Sequence, residues 1–414
     1  MAMIWLLYYA FIYVMVAGIR LSSIWNPKSA RWIEGRKDWR KSIEALSLKS
    51  NPRIWFHVSS LGEFEQARPV IEKIKRERPA IEIILSFFSP SGFEIRKAYP
   101  FARVVYLPAD VPGAAQDWLN AIRPDLAVFV KYDLWAGYLR ELYRKNIPYV
   151  LISAHIKGGF GFHSWSTPPV KGLLKKAKMI FLQKETSMTT LRDKGFFHIR
   201  VAGDTRIDRA LQLTNDAAHQ LPATIRNLGT FDLIAGSTWP ADEHILIPII
   251  QQLNLRVIIA PHDIRPSNID RLIKAIPVPA VKLSEIAHAK GNIRVLVVDN
   301  IGMLSMLYAL GDVAYVGGGF GKSIHNILEP AAHGKPVIFG PRYHAFPEAE
   351  ELVETGSAFA VRNTSELAER VSYLQGKHGE EAGQKAWQYL HKNAGATEIV
   401  TSYLLESIPY TLES

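Results

Sequence analysis

The stretch IWFHVSSLGEFEQARPVIEKI, residues 54–74, changes its period halfway along. Residues 54–58 are bulky and mostly apolar, as in a strand buried on both faces. Beyond Ser59 and Ser60 the apolar positions Phe64, Ala67, Val70, Ile71 and Ile74 recur at steps of three and four, which predicts a helix. The same alternation runs on in both senses of the word: apolar runs at 81–87, 102–107, 125–130, 149–153 and 178–182 each precede a helix-like segment. Strands alternating with helices of this length predict a parallel sheet covered on both faces. The pattern lapses at 211–229 and restarts with runs at 231–236, 256–260, 294–298, 312–318 and 335–340. The expectation is an α/β chain of two doubly wound units in series, with ligands bound in a cleft beyond the carboxyl ends of the strands.

Length agrees with two units, because 414 residues exceed one ordinary core. With 48% apolar and 21% charged residues the chain is globular rather than disordered. The absence of cysteine excludes disulfides, thiolate zinc sites and a cysteine nucleophile. A net charge of +10 suits a polyanionic partner, but no nucleic-acid-binding signature accompanies it. Anionic lipid and phosphorylated substrates remain, beside charge kept only for solubility.

Residues 1–19 carry no charged side chain, a length that can just cross a bilayer or lie in its headgroup layer. Eight basic residues (Arg20, Lys28, Arg31, Arg36, Lys37, Arg40, Lys41, Lys49) follow, against three acids (Glu34, Asp38, Glu44). Such a bias places the body on the cytoplasmic side. The expected division is a membrane anchor helix at 1–20, a first Rossmann-like domain at 21–210, a linker region at 211–229 and a second domain with terminal helices at 230–414.

Several motifs could carry chemistry. Glu63 stands at a helix start behind Gly62, where a carboxylate can take a proton from an attacking hydroxyl, an effect of roughly 100- to 10,000-fold in rate. Ser60-x-x-Glu63 is equally a capping box. In YVGGGFGKSIHNILEPAAHGKPVIFG (315–340), Gly317, Gly318 and Gly319 end a strand, and a helix expected near Asn326 offers N–H groups to a phosphate. Val316 stands where a P-loop needs glycine. Glu329 could accept from ribose hydroxyls, or complete a capping box with Asn326. Asp133, after the run 125–130, suits a cleft residue or a helix cap. Arg206, between Asp204 and Asp208, could hold a leaving phosphate or pair with its neighbours. The lysine- and aromatic-rich segment 156–178 suits an acidic amphiphile or a solvated loop. No Asp-x-Asp or His-Glu-x-x-His motif suggests a metal, so a departing nucleotide would be neutralised by helix ends and basic side chains.

Taken together, EGRKDW, VSSLGE, FSPSGFE, YLPAD, Asp133-Leu134-Trp135, AGDTRID and HNILEPAAHGKPVIFGP, in this order, resemble the Kdo (3-deoxy-D-manno-octulosonic acid) transferases of Gram-negative bacteria. The resemblance covers most of the chain. It implies a GT-B fold, a protein of the inner membrane facing the cytoplasm, and metal-independent, inverting transfer of Kdo from CMP-Kdo to a lipid A precursor (lipid IVA), with no further cofactor. It assigns the first domain to the acceptor and the second to the CMP-sugar. It implies that Glu63 is the general base, that Asp133 and Arg206 support the transition state, and that Asn326, Ile327, Leu328 and Glu329 bind CMP. A Pro-Arg pair that contacts CMP falls on Pro261 and His262, and a Met-Gly-Glu element on Ile301, Gly302 and Met303. Several positions depart from the family: the Glu-x-Glu-Leu-Trp-Pro element reads Lys131-Tyr132-Asp133-Leu134-Trp135-Ala136, so Asp133 replaces a glutamate, and Arg206 replaces a lysine and His262 an arginine. The alternatives are a transferase or epimerase of the same fold using a UDP-sugar, and a lipid-binding relative without catalysis.

Overall fold

The computed structural model describes residues 2–44, 46, 48–155, 168–214, 221–288 and 293–408. The chain divides into two compact units, one formed by residues 1–208 with 395–414, the other by 209–394.

The first unit holds seven parallel strands: β1 (Arg53–Val58), β2 (Glu82–Phe87), β3 (Arg103–Tyr106), β4 (Leu126–Val130), β5 (Tyr149–Ala154), β6 (Met179–Leu182) and β7 (Ile199–Val201). Their order is β3-β2-β1-β4-β5-β6-β7. Strand β1 is buried along its whole length and sends alternate side chains to opposite faces. Trp55 joins one apolar cluster with Trp118, Phe129 and Tyr138. Ile54, Phe56 and Val58 join the other, with Phe64, Val70 and Ile74 of the helix Leu61–Glu77. Helices therefore cover both faces.

The second unit repeats the plan with β8 (Phe231–Thr238), β9 (Val257–Pro261), β10 (Ala280–Lys282), β11 (Val295–Val297), β12 (Gly311–Val316), β13 (Val337–Phe339) and β14 (Ala358–Ala360). The order is β10-β11-β9-β8-β12-β13-β14, all parallel. In each sheet the strand order reverses beside the first strand, between β1 and β4 and between β8 and β12. Ligands of doubly wound sheets bind at such reversals, outside the carboxyl ends.

Two expectations are corrected. The second domain does not run to residue 414: the last helix, Ala396–Glu406, returns to the first unit, where Val400, Leu404 and Leu405 complete the apolar cluster under β1. Asp208 receives it, accepting from the backbone N–H of Gly395 and of Thr397, each at 2.6 Å. Nor is 211–229 simply a linker: the helix Thr205–Thr214 extends into it, and Leu221 and Ile225 are buried in the core of the second unit. Residues 156–167 of the basic, aromatic segment lie outside the described residues.

Candidate active site

In the first unit, Ser59 follows β1, Ser60 caps the helix Leu61–Glu77, and Glu63 lies in its first turn. Ser60 Oγ accepts from the Glu63 N–H at 3.4 Å. The Glu63 carboxylate reaches one residue further back than a capping box requires: Oε2 accepts from the Ser59 hydroxyl at 2.8 Å and from the Ser59 N–H. Cap and candidate base are thus one arrangement, and the bonds that tie the helix to the strand also fix the carboxylate. Gly62 lies inside the helix, and a side chain there would meet only Ser60 Oγ, at 3.9 Å. The surface beside Glu63 is open.

Asp133 does not cap the helix Ala136–Arg144, whose N-cap position is Trp135. It turns to β1 instead. Oδ2 of Asp133 lies 2.7 Å from Nε2 of His57, a fully buried side chain. His57 Nδ1 is 2.9 Å from Ser86 Oγ, which accepts from Trp55 Nε1 at 2.8 Å. The indole can only donate, so the single hydroxyl proton of Ser86 is free for His57 Nδ1, nearer than Phe56 O at 3.4 Å. The ring proton then sits on Nε2 and is donated to Asp133. Burial and the Asp133 charge push the Glu63 carboxyl up, against the opposing Ser59 bonds. A carboxyl raised in this way is suited to proton abstraction. His57 escaped the sequence reading because a lone histidine inside an apolar strand carries no pattern.

Arg206 pairs with its neighbour. Its Nε stands 3.0 Å from Asp204 Oδ2, and its backbone N–H donates to Asp204 Oδ1 at 3.0 Å. Burial raises the Asp204 carboxyl, but the Arg206 charge and bonds, with Lys131, bring it below the ordinary carboxylate range. Lys131 follows β4 with φ 55°. The ladders slip between Leu151 and Ala154 on β5 and between Gly236 and Thr238 on β8. Within those slips Ser153 and Ser237 have φ 55° and 54°. These three lie at or beyond the carboxyl ends of strands, while the other non-glycine residues at positive φ among the described residues, Arg123, Asn146 and Asn254, follow the carboxyl ends of helices.

In the second unit, Asp242 organises the reversal point. Its carboxylate accepts from Tyr315 OH at 2.8 Å and from the N–H groups of Gly318 and Trp239, both at 2.9 Å. The glycine run is needed for close approach of the chain to itself. A side chain on Gly317 would come within 2.4 Å of Ser237 O, and one on Gly319 within 2.6 Å of the Gly340 backbone. The N–H groups of Gly317, Gly318 and Gly321 already have protein partners. The helix begins at Leu328 rather than Asn326 and is five residues long. Asn326 Oδ1 accepts from the Leu328 N–H at 3.1 Å, while its amide donates to Glu329 Oε1 at 2.9 Å, so the expected capping box is absent. Ile327 and Leu328 are buried, so their side chains serve the core and not a ligand.

Pro261 ends β9, and His262 beyond it stacks on both Trp239 and His325, with ring centroids 4.5 Å from each, while Trp239 Nε1 donates to His325 Nε2 at 2.9 Å. Burial and His262 push His325 down to about 4. Burial also lowers His262, opposed by Asp263. Ile301 and Gly302 form an exposed turn after β11, and Met303 precedes the short helix Leu304–Leu307. The structure thus gathers Glu63, Asp133 and His57 in one unit and His262, His325 and Asn326–Glu329 in the other.

Comparison with known proteins agrees with this layout. The family profile described as 3-deoxy-D-manno-octulosonic-acid transferase (kdotransferase) matches residues 34–209. The 3-deoxy-D-manno-octulosonic acid transferase of Haemophilus influenzae is 28% identical over 83% of this chain and 84% of its own. That of Aquifex aeolicus is 27% identical over 78% and 85%. Among solved structures, the UDP-GlcNAc 2-epimerase of Neisseria meningitidis aligns with a TM-score of 0.58 over 86% of this chain and 100% of its own, at 15% identity. MurG of Acinetobacter baumannii aligns with a TM-score of 0.55 over the same shares, also at 15%. These structures share the GT-B fold. By its motifs and its relatives the chain is similar to the Kdo transferases, and its two seven-stranded parallel sheets give it the fold of these neighbours.

Proposed function

We propose that this glycosyltransferase moves Kdo from CMP-Kdo to a lipid A precursor, on the cytoplasmic side of the inner membrane and without a metal or other cofactor. Glu63 takes the proton of the acceptor hydroxyl as its oxygen attacks the anomeric carbon. The bond to the phosphate oxygen breaks with its electron pair, CMP leaves, and the anomeric centre inverts. Asp133 keeps the Glu63 proton affinity high. Arg206, held by Asp204, supports the charge that develops. In the second unit, CMP contacts come from His262, the 301–303 turn, Asn326 and Glu329, with Ile327 and Leu328 contributing backbone only.

The observation that carries this reading is the raised, strand-anchored Glu63 carboxyl beside Asp133 in a chain similar to the Kdo transferases. Incubation with CMP-Kdo and a lipid A precursor, with products read by mass spectrometry, should give the Kdo-bearing lipid and CMP. Glu63→Gln should keep its fold and CMP-induced thermal stabilisation while transfer falls by about 100-fold or more. Near wild-type transfer by that variant would remove Glu63 from the base role.

A further inference from the structure

The apolar helix Ala2–Ser22 spans about 30 Å and passes the length test for crossing a bilayer. Its contacts argue otherwise. Tyr8 OH donates to Asp110 Oδ2 at 2.6 Å and accepts from the Ala136 N–H at 3.1 Å. Arg140 donates to Tyr9 OH at 2.9 Å and lies 4.1 Å over the Trp5 ring. Ile12, at the middle of the helix, is buried, and Val16 and Arg20 line a groove with Trp32, Lys37 and Arg40. Residues 5, 8, 9, 12, 16 and 20 fall on one face at helical spacing. That face rests on the first unit.

The opposite face is bare and apolar: Met3, Leu6, Leu7, Phe11, Val14 and Leu21 are all more than half exposed. A crossing helix would carry its midpoint, and with it Asp110 and Arg140, to the centre of the hydrocarbon. Burying those charged groups there is costly, and the domain cannot follow. A helix lying flat meets both demands, with one face on the domain and the other in the acyl chains.

We propose that Ala2–Ser22 lies in the plane of an anionic phospholipid surface, clamped to the first unit, and does not cross the bilayer. The groove at its carboxyl end extends this surface. It has a volume of about 370 Å³, and its lining includes Arg20, Arg36, Lys37 and Arg40 but no acidic residue. Arg36 is committed to the carbonyls of Trp32, Phe88 and Leu107, and Arg40 to Asp117. Arg20 and Lys37 make no ion pair among the described residues and are free for lipid phosphate.

The chain has no cysteine, so single cysteines report topology without background. Ala2→Cys and Lys28→Cys, in the full chain in sealed membrane vesicles, are exposed to a membrane-impermeant maleimide from either side. Labelling of both from the same side with comparable yield is the expected result. Labelling of Ala2→Cys from the opposite side, or from neither while Lys28→Cys reacts, overturns the proposal. In flotation with vesicles, R20Q/K37Q should bind phosphatidylcholine as the parent does but lose about 10-fold of the preference for vesicles containing 30% phosphatidylglycerol. An unchanged preference would remove the two residues from the lipid surface.

Discussion

Nε2 of His57, inside the first sheet, and Oδ2 of Asp133, at its rim, are 2.7 Å apart. The bond continues through Ser86 to Trp55, so a carboxylate at the surface is aimed by groups that never meet solvent.

From this follows a pH-dependent effect. Burial and the Asp133 charge raise the Glu63 carboxyl, so transfer should fall as pH drops through that raised value and Glu63 takes up its proton. Asp133→Asn removes the charge, and the acid limb of kcat/KM should move to lower pH. His57→Gln places an amide where Nε2 lies and keeps the Asp133 bond; His57→Asn places it where Nδ1 lies and loses that bond. The glutamine variant should retain at least about 10-fold more activity at equal thermal stability. Equal activities would reduce His57 to a filler of the core.

Gly62 offers a different test. No protein atom but Ser60 Oγ comes within 4 Å of a side chain built there, and the position is helical. Gly62→Ala should raise stability by about 0.5–1 kcal/mol in urea unfolding. A fall in kcat/KM despite that gain would show that acceptor or donor passes over this face; unchanged kinetics would show that it does not.

Asp208 joins distant parts of the sequence. It accepts two short N–H bonds from Gly395 and Thr397 at the start of the last helix. Asp208→Ala should cost about 2–4 kcal/mol, because both donors lose a charged acceptor. Amide exchange across 396–406 should accelerate first, before exchange in the second unit changes.

His325 makes folding sensitive to mild acid. Its value is pushed down to about 4, below that of an unfolded histidine, by burial and His262. Between roughly pH 6.5 and 4 the unfolded chain binds more protons at this position, so its contribution to stability declines as pH falls through that window. His325→Gln should narrow the difference between urea midpoints at pH 7.5 and pH 5. An unchanged difference would place the acid sensitivity elsewhere.

The long buried strands were legible, since β1, β2, β4 and β5 are apolar runs with nothing else to be. The strands that escaped, β7, β10 and β14, are three residues long and lie at sheet edges, where one neighbour suffices and no extended apolar run is required. Site legibility followed the same logic. Glu63 announced itself through its place after a strand. Asp242 and the ring stack of Trp239, His262 and His325 join residues brought together from separate strand ends, and no local pattern records that. The glycine run was read as a loop offering N–H groups to a phosphate, but the N–H groups of Gly317, Gly318 and Gly321 bond within the chain, and the run serves the close approach of the chain to itself.

Because Ala396–Glu406 belongs to the first unit, the second is an uninterrupted insertion between Asp208 and Gly395. During synthesis the inserted unit leaves the ribosome whole, while its host still lacks Val400, Leu404 and Leu405 beneath β1. The half that bears Glu63 is therefore completed after the inserted unit, and its apolar underside waits uncovered until Ala396–Glu406 has been synthesised.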